Sequence, residues 1–454
     1  MIKLRLLVCC LICICCSYGQ ENKAALNQAF VIFEKDSQLK YAVSSITITD
    51  AESGTILYEK NMHYGLAPAS SMKILTAAAA FELLGDKFRY KTLFYLNKDA
   101  GKPLSIFVEG SGDPTLGSSR FATAQTTTII DSLSKKLLIH KITSFTGHWY
   151  ASKKSSYSMI PRDWIWEDIG NYYGASWSML NWNENQYTIW LLPGKQKGDP
   201  VKVISTAPAV DFTITNELRT GTAQSGDNAY VFFNPAEKGV TIKGTIPCCR
   251  DRFAIYGAVP DPDKYALQEF SSALGGTVSS AAFSETPVTG RQELLYTHQS
   301  PTLDSIIYWF MQKSINLYGE AMLHKIAASG ADAEDEKVEV LRKFWQQKGI
   351  DIKSLTIVDG SGLSPANRVT TGAMAEVLSY AARQKWFPAF YKAFPDINGM
   401  KIKSGTIGGV RAYAGYIKGK SGKQYCFSFI VNNYNGSVSA LSAKMLTVLN
   451  TLKK

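Results

Sequence analysis

The stretch LAPASSMKILTAAAAFELLG, residues 66–85, reads as a loop that turns into a helix. Pro68-Ala69 marks the entry, and between Lys73 and Glu82 only Thr76 is polar. A helix over 71–84 with so little polar surface belongs inside a core rather than on one. Ser70 stands where that helix begins, and Lys73 follows one turn later. Two readings are open. Ser70 is an N-cap and Lys73 a solvated surface residue, or the two are a nucleophile and its base. Positions i and i+3 share a helical face. A desolvated amine has a lowered pKa and can take a serine proton. The helix N-terminus also favours developing negative charge. Ser-x-x-Lys alone decides nothing, since Ser37/Lys40 and Ser132/Lys135 repeat it in polar surroundings that a solvated face explains.

Working outward, residues 24–35 read as a short amphipathic helix. YAVSSITITDAESGTILYEKN (41–61) alternates in period two around an Asp-Ala-Glu-Ser-Gly turn, the pattern of a β-hairpin. Beyond the central helix the texture changes to short β-like runs, such as KTLFYL, LSIFVEG, QYTIWLLP, YVFFNP and GVTIKGTI, separated by Gly, Pro and Asp turns. From about 259 helical patterns return over 262–274, 302–328, 333–348 and 371–383. Two strands, AYAGYIKG and QYCFSFIVNN, and a helix over 437–452 close the chain. The expected organisation is a leader at 1–19, an α/β body over 20–87 and 259–454, and a mostly-β insert over 88–258 that splits it.

At 454 residues with 45% apolar and 12% aromatic content, the chain is that of a well-packed globular protein. MIKLR followed by LLVCCLICICC and SYG has the basic start, apolar run and small residues of a signal peptide, cleaved before Gln20. A lipid-anchored alternative uses Cys15 or Cys16, although the usual leucine three residues earlier is missing. No later run of about twenty apolar residues argues for an integral membrane segment. Loss of the leader leaves Cys248, Cys249 and Cys426, an odd count that forms no disulfide framework. It also removes Lys3 and Arg5, taking the formal net charge from +11 to +9. That balance suits an anionic envelope polymer. No dense Lys/Arg block or basic-aromatic alternation points to nucleic acid. Export without disulfides suits a periplasm or cell envelope.

Two further elements stand out. MQKSINLYGEAML places Ser314-x-Asn316 on or beside the helical run: a hydroxyl to relay a proton and an amide to hold a substrate carbonyl. GMKIKSGTIGGVRAYAGY carries Lys403-Ser404-Gly405-Thr406 at a strand approach. There Lys403 would bind a carboxylate, Gly405 would let a substrate lie against the backbone, and Thr406 would give a hydroxyl and an oxyanion-hole amide. A second Lys-Ser-Gly at 420–422 sits in KGKSGKQY and reads as a hairpin turn.

The order Ser-x-x-Lys, Ser-x-Asn, Lys-Ser-Gly is the set of serine enzymes acting on penicillin and D-alanyl peptides. The chain resembles the class C low-molecular-mass penicillin-binding proteins, the penicillin-binding protein 4 type of D-alanyl-D-alanine carboxypeptidase/endopeptidase. VEGSGDPTLG, DWIWEDIGNYYGA, IKGTIP, THQSPTLDSIIYWFMQKSINLYGEA and VDGSGLSPANRVT agree, so the likeness runs through nearly all of the chain beyond the leader. The resemblance implies an α/β (α+β) penicillin-binding, serine β-lactamase-like transpeptidase fold, the large insert being a family trait. It makes Ser70 the acylated nucleophile, Lys73 its base, and Ser314 and Asn316 the second motif. Lys403 with Thr406 would bind the terminal carboxylate, Ser404 and Gly405 belonging to the same substrate-binding motif, with the amides of Ser70 and Thr406 as oxyanion hole. Asp168, in WIWED, matches the acidic residue that meets the amine of the third stem-peptide residue; a solvated loop carboxylate is the other reading. The implied substrate is a peptidoglycan stem peptide and the implied inhibitor a β-lactam, with no cofactor. A wall-binding or β-lactam-sensing protein on the same fold and a β-lactamase or esterase are the alternatives.

The chain departs from the family pattern at Ile315 for Asp, Ser404 for Thr, Pro365 for Arg and Gly408 for Gln. Histidines 63, 140, 148, 298 and 324 show no paired-ligand spacing, so no metal site is expected. No G-x-S-x-G elbow occurs, and EGSGDPTLG lacks dinucleotide and P-loop spacing. The tryptophans at 164, 166, 177 and 182 read as packing residues rather than a sugar platform.

Overall fold

The computed structural model describes residues 23–98, 104–151, 160–234, 239–283, 292–327 and 334–453. The leader at 1–19, with Cys15 and Cys16, lies outside the described residues. The chain divides into two compact units, one of Met1–Asp86, Ile307–Ser314 and Asp335–Lys454, the other of Lys87–Ile306 and Ile315–Glu334.

The first unit is built on a six-stranded antiparallel sheet. Its order is Asp396–Ile397, Met400–Ile407, Val410–Lys418, Gln424–Asn432, Val43–Asp50 and Ile56–Lys60. The alternation at 41–61 sorts the strand Val43–Asp50 into two faces. Ile46 and Ile48 join Phe427, Phe429 and Val431 in a core that helices 23–34 and Val438–Asn450 cover with Phe30, Phe33, Leu441 and Met445. Ser45, Thr47 and Thr49 face the other way, and all three are buried. Their hydroxyls bond to Thr371 Oγ1 at 2.6 and 2.8 Å and to Ser379 Oγ at 3.2 Å, so these three strand hydroxyls are satisfied where the helix Thr371–Ala382 docks.

The central helix runs Lys73–Leu84 and is buried from Lys73 through Phe81. Gly85 ends it at φ +82, a conformation that suits glycine. Its entry differs from the expected capped helix. Ala69–Met72 form a 3-10 turn with no side-chain cap, and Ala69 is held at φ +46.

In the second unit a five-stranded mixed sheet has the order Gly275–Phe283, Phe145–Ala151, Ser105–Glu109, Lys91–Asn97, Gln292–Gln299. The helix Thr126–Ile139 packs the stripe Ile129, Leu133 and Leu137 into this core. The helix Pro262–Leu274 adds Ala266, Leu267 and Phe270. Its start is legible in sequence: Asp261 caps Lys264 N at 3.2 Å, and Pro262 takes the first turn. A three-stranded sheet (Phe253–Ala258, Gln186–Leu192, Lys202–Ala207) and a second built around Gly239–Pro247 complete the β content.

The expected helix over 302–328 is two helices, Leu303–Lys313 and Asn316–Ala327. Ser314 breaks it at φ +57, a left-handed conformation that costs a non-glycine residue about 1–2 kcal/mol and cannot continue a right-handed helix. No helix among the described residues is long and apolar enough to cross a membrane.

Candidate active site

Lys73 is not on a solvated face. It is wholly buried, and neither Ser70 nor any neighbour caps the helix by a side chain. The Nζ donates to Ser70 Oγ at 3.0 Å and to the Ser361 carbonyl at 2.6 Å, and lies 5.5 Å from the Phe310 ring centre. The carbonyl comes from a loop that sequence reading had matched to the family without giving it a task. Asp359, fully buried in VDGSGLS, accepts the Gly362 and Ser364 amides at 2.6 and 2.7 Å and the Asn367 side chain at 3.0 Å. Thr76 Oγ1 ties the same loop to the central helix through the Gly360 carbonyl at 2.7 Å. Gly362, at φ +79, lies so close that a Cβ there would stand 2.1 Å from the Ala69 carbonyl oxygen. The turn bearing Ser70 and the partner of Lys73 are thus wedged by one loop. The sequence signal was a buried-looking Asp followed by Gly-Ser-Gly.

The strand Met400–Ile407 supplies the third element. Lys403 is 2% exposed, and its Nζ donates to Ser314 Oγ at 3.0 Å and to the Ser404 carbonyl at 2.8 Å. Burial, then the charges of Lys73 and Arg411, hold its pKa well below the ordinary lysine range. The break at Ser314 therefore has a use, because it turns the hydroxyl onto Lys403. Left-handed Ala69 and Ser314 fit the tendency of strained backbone to gather at working sites.

Gly405 is the place where the Ser70 turn presses on the strand. A Cβ at 405 would sit 2.4 Å from the Pro68 carbonyl oxygen and 3.0 Å from the amide nitrogens of Ser70 and Ser71. Glycine there brings the Ser70 N–H beside the strand that carries Thr406. Ser404 is half-buried and gives its carbonyl to Lys403; Thr406 is exposed, its Oγ1 accepting from Arg411 on the neighbouring strand.

In the second unit, Asn316 opens the helix Asn316–Ala327, and its Nδ2 donates to the Tyr173 carbonyl at 2.7 Å. Asp168 lies in the short helix Trp166–Ile169, half-buried and hydrogen-bonded to the Tyr173 side chain. Burial raises the Asp168 pKa, the Tyr173 bond opposes it, and Glu167 adds to the rise. Desolvation and the Asp168 charge push the Tyr173 hydroxyl up in turn. Tyr173, which sequence reading passed over, is the link between Asp168 and Asn316.

The competing copies fall where polarity put them. Ser132 Oγ is spent on the Thr128 carbonyl at 2.7 Å, with Lys135 exposed. Lys420, Ser421 and Gly422 lie exposed in the turn after the strand Val410–Lys418. Trp164, Trp177 and Trp182 are buried as expected; Trp166 is not, at 58% exposure. Cys248, Cys249 and Cys426 are free thiols, only the last buried.

The fold and the serine-lysine pair define the penicillin-binding class of serine peptidase. A family model described as D-Ala-D-Ala carboxypeptidase 3 (S13) matches residues 26–400 and 396–452. The chain belongs to that family, and is accordingly a serine-type DD-peptidase of peptidoglycan. It is 26% identical over 440 residues to a D-alanyl-D-alanine carboxypeptidase from an Actinomadura species, covering 88% of this chain and 80% of that one. Over 417 residues it is 24% identical to the D-alanyl-D-alanine carboxypeptidase DacB of Haemophilus influenzae, covering 84% and 83%. The solved structure of penicillin binding protein 4 (dacB) from Haemophilus influenzae superposes with a TM-score of 0.76 at 21% identity, over 91% of this chain and 97% of that one. A second structure of it, complexed with a novel β-lactam, gives 0.69 at 20% identity over the same shares.

Proposed function

We propose that stem peptides ending in D-alanyl-D-alanine acylate Ser70, releasing the terminal D-alanine or a cross-linked neighbour, and that water then deacylates the enzyme. The observation that carries this reading is the buried Lys73 amine at 3.0 Å from Ser70 Oγ. In neutral form it gives one N–H to the Ser361 carbonyl and turns its lone pair onto the Ser70 hydroxyl, a general base already in place. Ser70 Oγ then attacks the carbonyl carbon of the penultimate D-alanine, and the proton passes to Lys73. As the C–N bond breaks, the proton Lys73 took from Ser70 passes through the Ser314 hydroxyl to the leaving amine, which returns Lys73 to its neutral form, while Lys403, hydrogen-bonded to Ser314, stays charged. The Ser70 and Thr406 amides stabilise the oxyanion, each such donor being worth about 10²–10³ in rate. Lys403 and Thr406 hold the terminal carboxylate, Asn316 the substrate amide, and Asp168 the amine of the third stem residue.

We place this chemistry in the periplasm or cell envelope, reached through the leader at 1–19. Labelled penicillin is expected to bond covalently to the protein and Ser70→Ala to abolish labelling; persistent labelling of that variant overturns the nucleophile assignment. Mass spectrometry of muropeptides after incubation should show loss of D-alanine, cleaved cross-links, or both. Neither product from a protein that still takes the label would make the chain a binder.

A further inference from the structure

Resting on that reading, the structure assigns a recognition task to Arg411, a residue no motif contains. Strand pairing sets Arg411 directly opposite Thr406, and Tyr413 opposite Ser404. Side chains so opposed share a sheet face. The Arg411 guanidinium donates from one terminal nitrogen to Thr406 Oγ1 and from the other to the Tyr413 hydroxyl, the latter at 2.6 Å, and lies 4.5 Å over the Tyr413 ring. Among the described residues the partners of Lys403 and Arg411 are hydroxyls and a carbonyl, not carboxylates, and both residues belong to one unit. Lys403 and Arg411 thus repel each other with no carboxylate paired to either among the described residues, an arrangement that costs Coulomb energy until an anion arrives.

The hydrogen bond fixes more than charge. A threonine hydroxyl has one proton and two lone pairs. With a lone pair occupied by Arg411, the Thr406 proton is left to donate outward, where the side chain is exposed. A hydroxyl fixed as donor beside two cations selects an acceptor that carries charge, namely the terminal carboxylate of the D-alanyl-D-alanine substrate. Arg411 is therefore a positioning residue: it orients Thr406 and adds its field to that of Lys403.

The test compares a diacylated Lys-D-Ala-D-Ala tripeptide with its C-terminal amide, using the full mature protein. A charge-assisted contact of this kind is worth about 10- to 100-fold. Arg411→Met should lower kcat/KM on the acid about 30-fold, mainly through KM, and on the amide by threefold or less. Arg411→Lys should recover part of the loss. Thr406→Val should cost much in the native background and little in Arg411→Met, since the two act as one unit. Equal losses on acid and amide, or full additivity of the two substitutions, overturn the assignment. If neither peptide is cleaved while benzylpenicillin still acylates Ser70, the peptidase reading fails. The same comparison is then read on benzylpenicillin and its methyl ester.

Discussion

Lys403-Ser404-Gly405 and Lys420-Ser421-Gly422 are one tripeptide in two settings. At 420–422 all three residues are exposed, and the backbone closes a turn through Gly419 N to the Lys423 carbonyl at 2.8 Å. At 403–405 the lysine is buried on Ser314, the serine carbonyl accepts from it, and the glycine carries the weight of the Ser70 turn. The same contrast separates Ser70/Lys73 from Ser132/Lys135. In each pair the copy to which the proposed function gives a role is the one whose lysine has lost its water. The same short pattern has its lysine buried where the surrounding sequence is apolar and solvated where it is polar.

The contrast is broken most severely at the lysine of the first pair. Lys73→Met should lower the rate of penicillin acylation by about four orders of magnitude, the upper range for loss of general-base action. Lys135→Met, on a solvated face, should leave it unchanged. Stopped acylation in both variants would mean that burial does not distinguish the copies.

Why burial was readable for one copy and not another lies in the flanking residues. Ile74 through Phe81 is apolar but for Thr76, so a buried helix followed from the sequence, and with it the reading in which Lys73 is desolvated. Asp261-Pro262 gave a helix start for the same reason: its determinants lie within one turn. The break at Ser314 was not legible. LDSIIYWFMQKSINLYGEAMLHKIA carries continuous helical periodicity, and the left-handed serine is imposed by tertiary contact with Lys403. The bond from Asn316 to the Tyr173 carbonyl and the pairing of Arg411 with Thr406 are likewise long-range or register-dependent. Residue spacing along the chain gives no access to such contacts. Gly405 has a close backbone approach that the sequence did not identify, that of the Ser70 turn.

That glycine gives the next comparison. Gly405→Ala places a Cβ 2.4 Å from a carbonyl oxygen and 3.0 Å from two amide nitrogens, backbone atoms that cannot swing aside. The Ser70 turn must move away from the strand, and the oxyanion donors separate. Acylation should fall about 10²–10³-fold, the loss expected when one oxyanion-hole donor is removed. Gly422→Ala meets nothing nearer than the Lys418 side chain at 3.9 Å but must hold φ +83. It should cost about 1–2 kcal/mol in denaturant unfolding and leave acylation as it was. Reversal of the two effects would show the first Lys-Ser-Gly to be structural only.

The smallest expected effect separates the two tripeptides by pH. Lys403 is pushed well below its ordinary 10.5 by burial and by the charges of Lys73 and Arg411. Between that lowered value and 10.5 the folded protein holds fewer protons at this site than the unfolded chain, so this contribution to stability rises with pH across the window. Function runs the other way, because the deprotonated amine no longer attracts a carboxylate. For an acid-terminated peptide, kcat/KM should therefore fall along an alkaline limb below the ordinary lysine range, about tenfold per pH unit. In kcat the limb should lie higher, since a bound carboxylate favours the ammonium. With the amide-terminated peptide the limb should be absent. Lys403→Met should flatten the profile at a lowered rate, whereas Lys420→Met should keep it. A limb that persists in Lys403→Met would move the titration to another group and leave the buried lysine a structural tie between Ser314 and its strand.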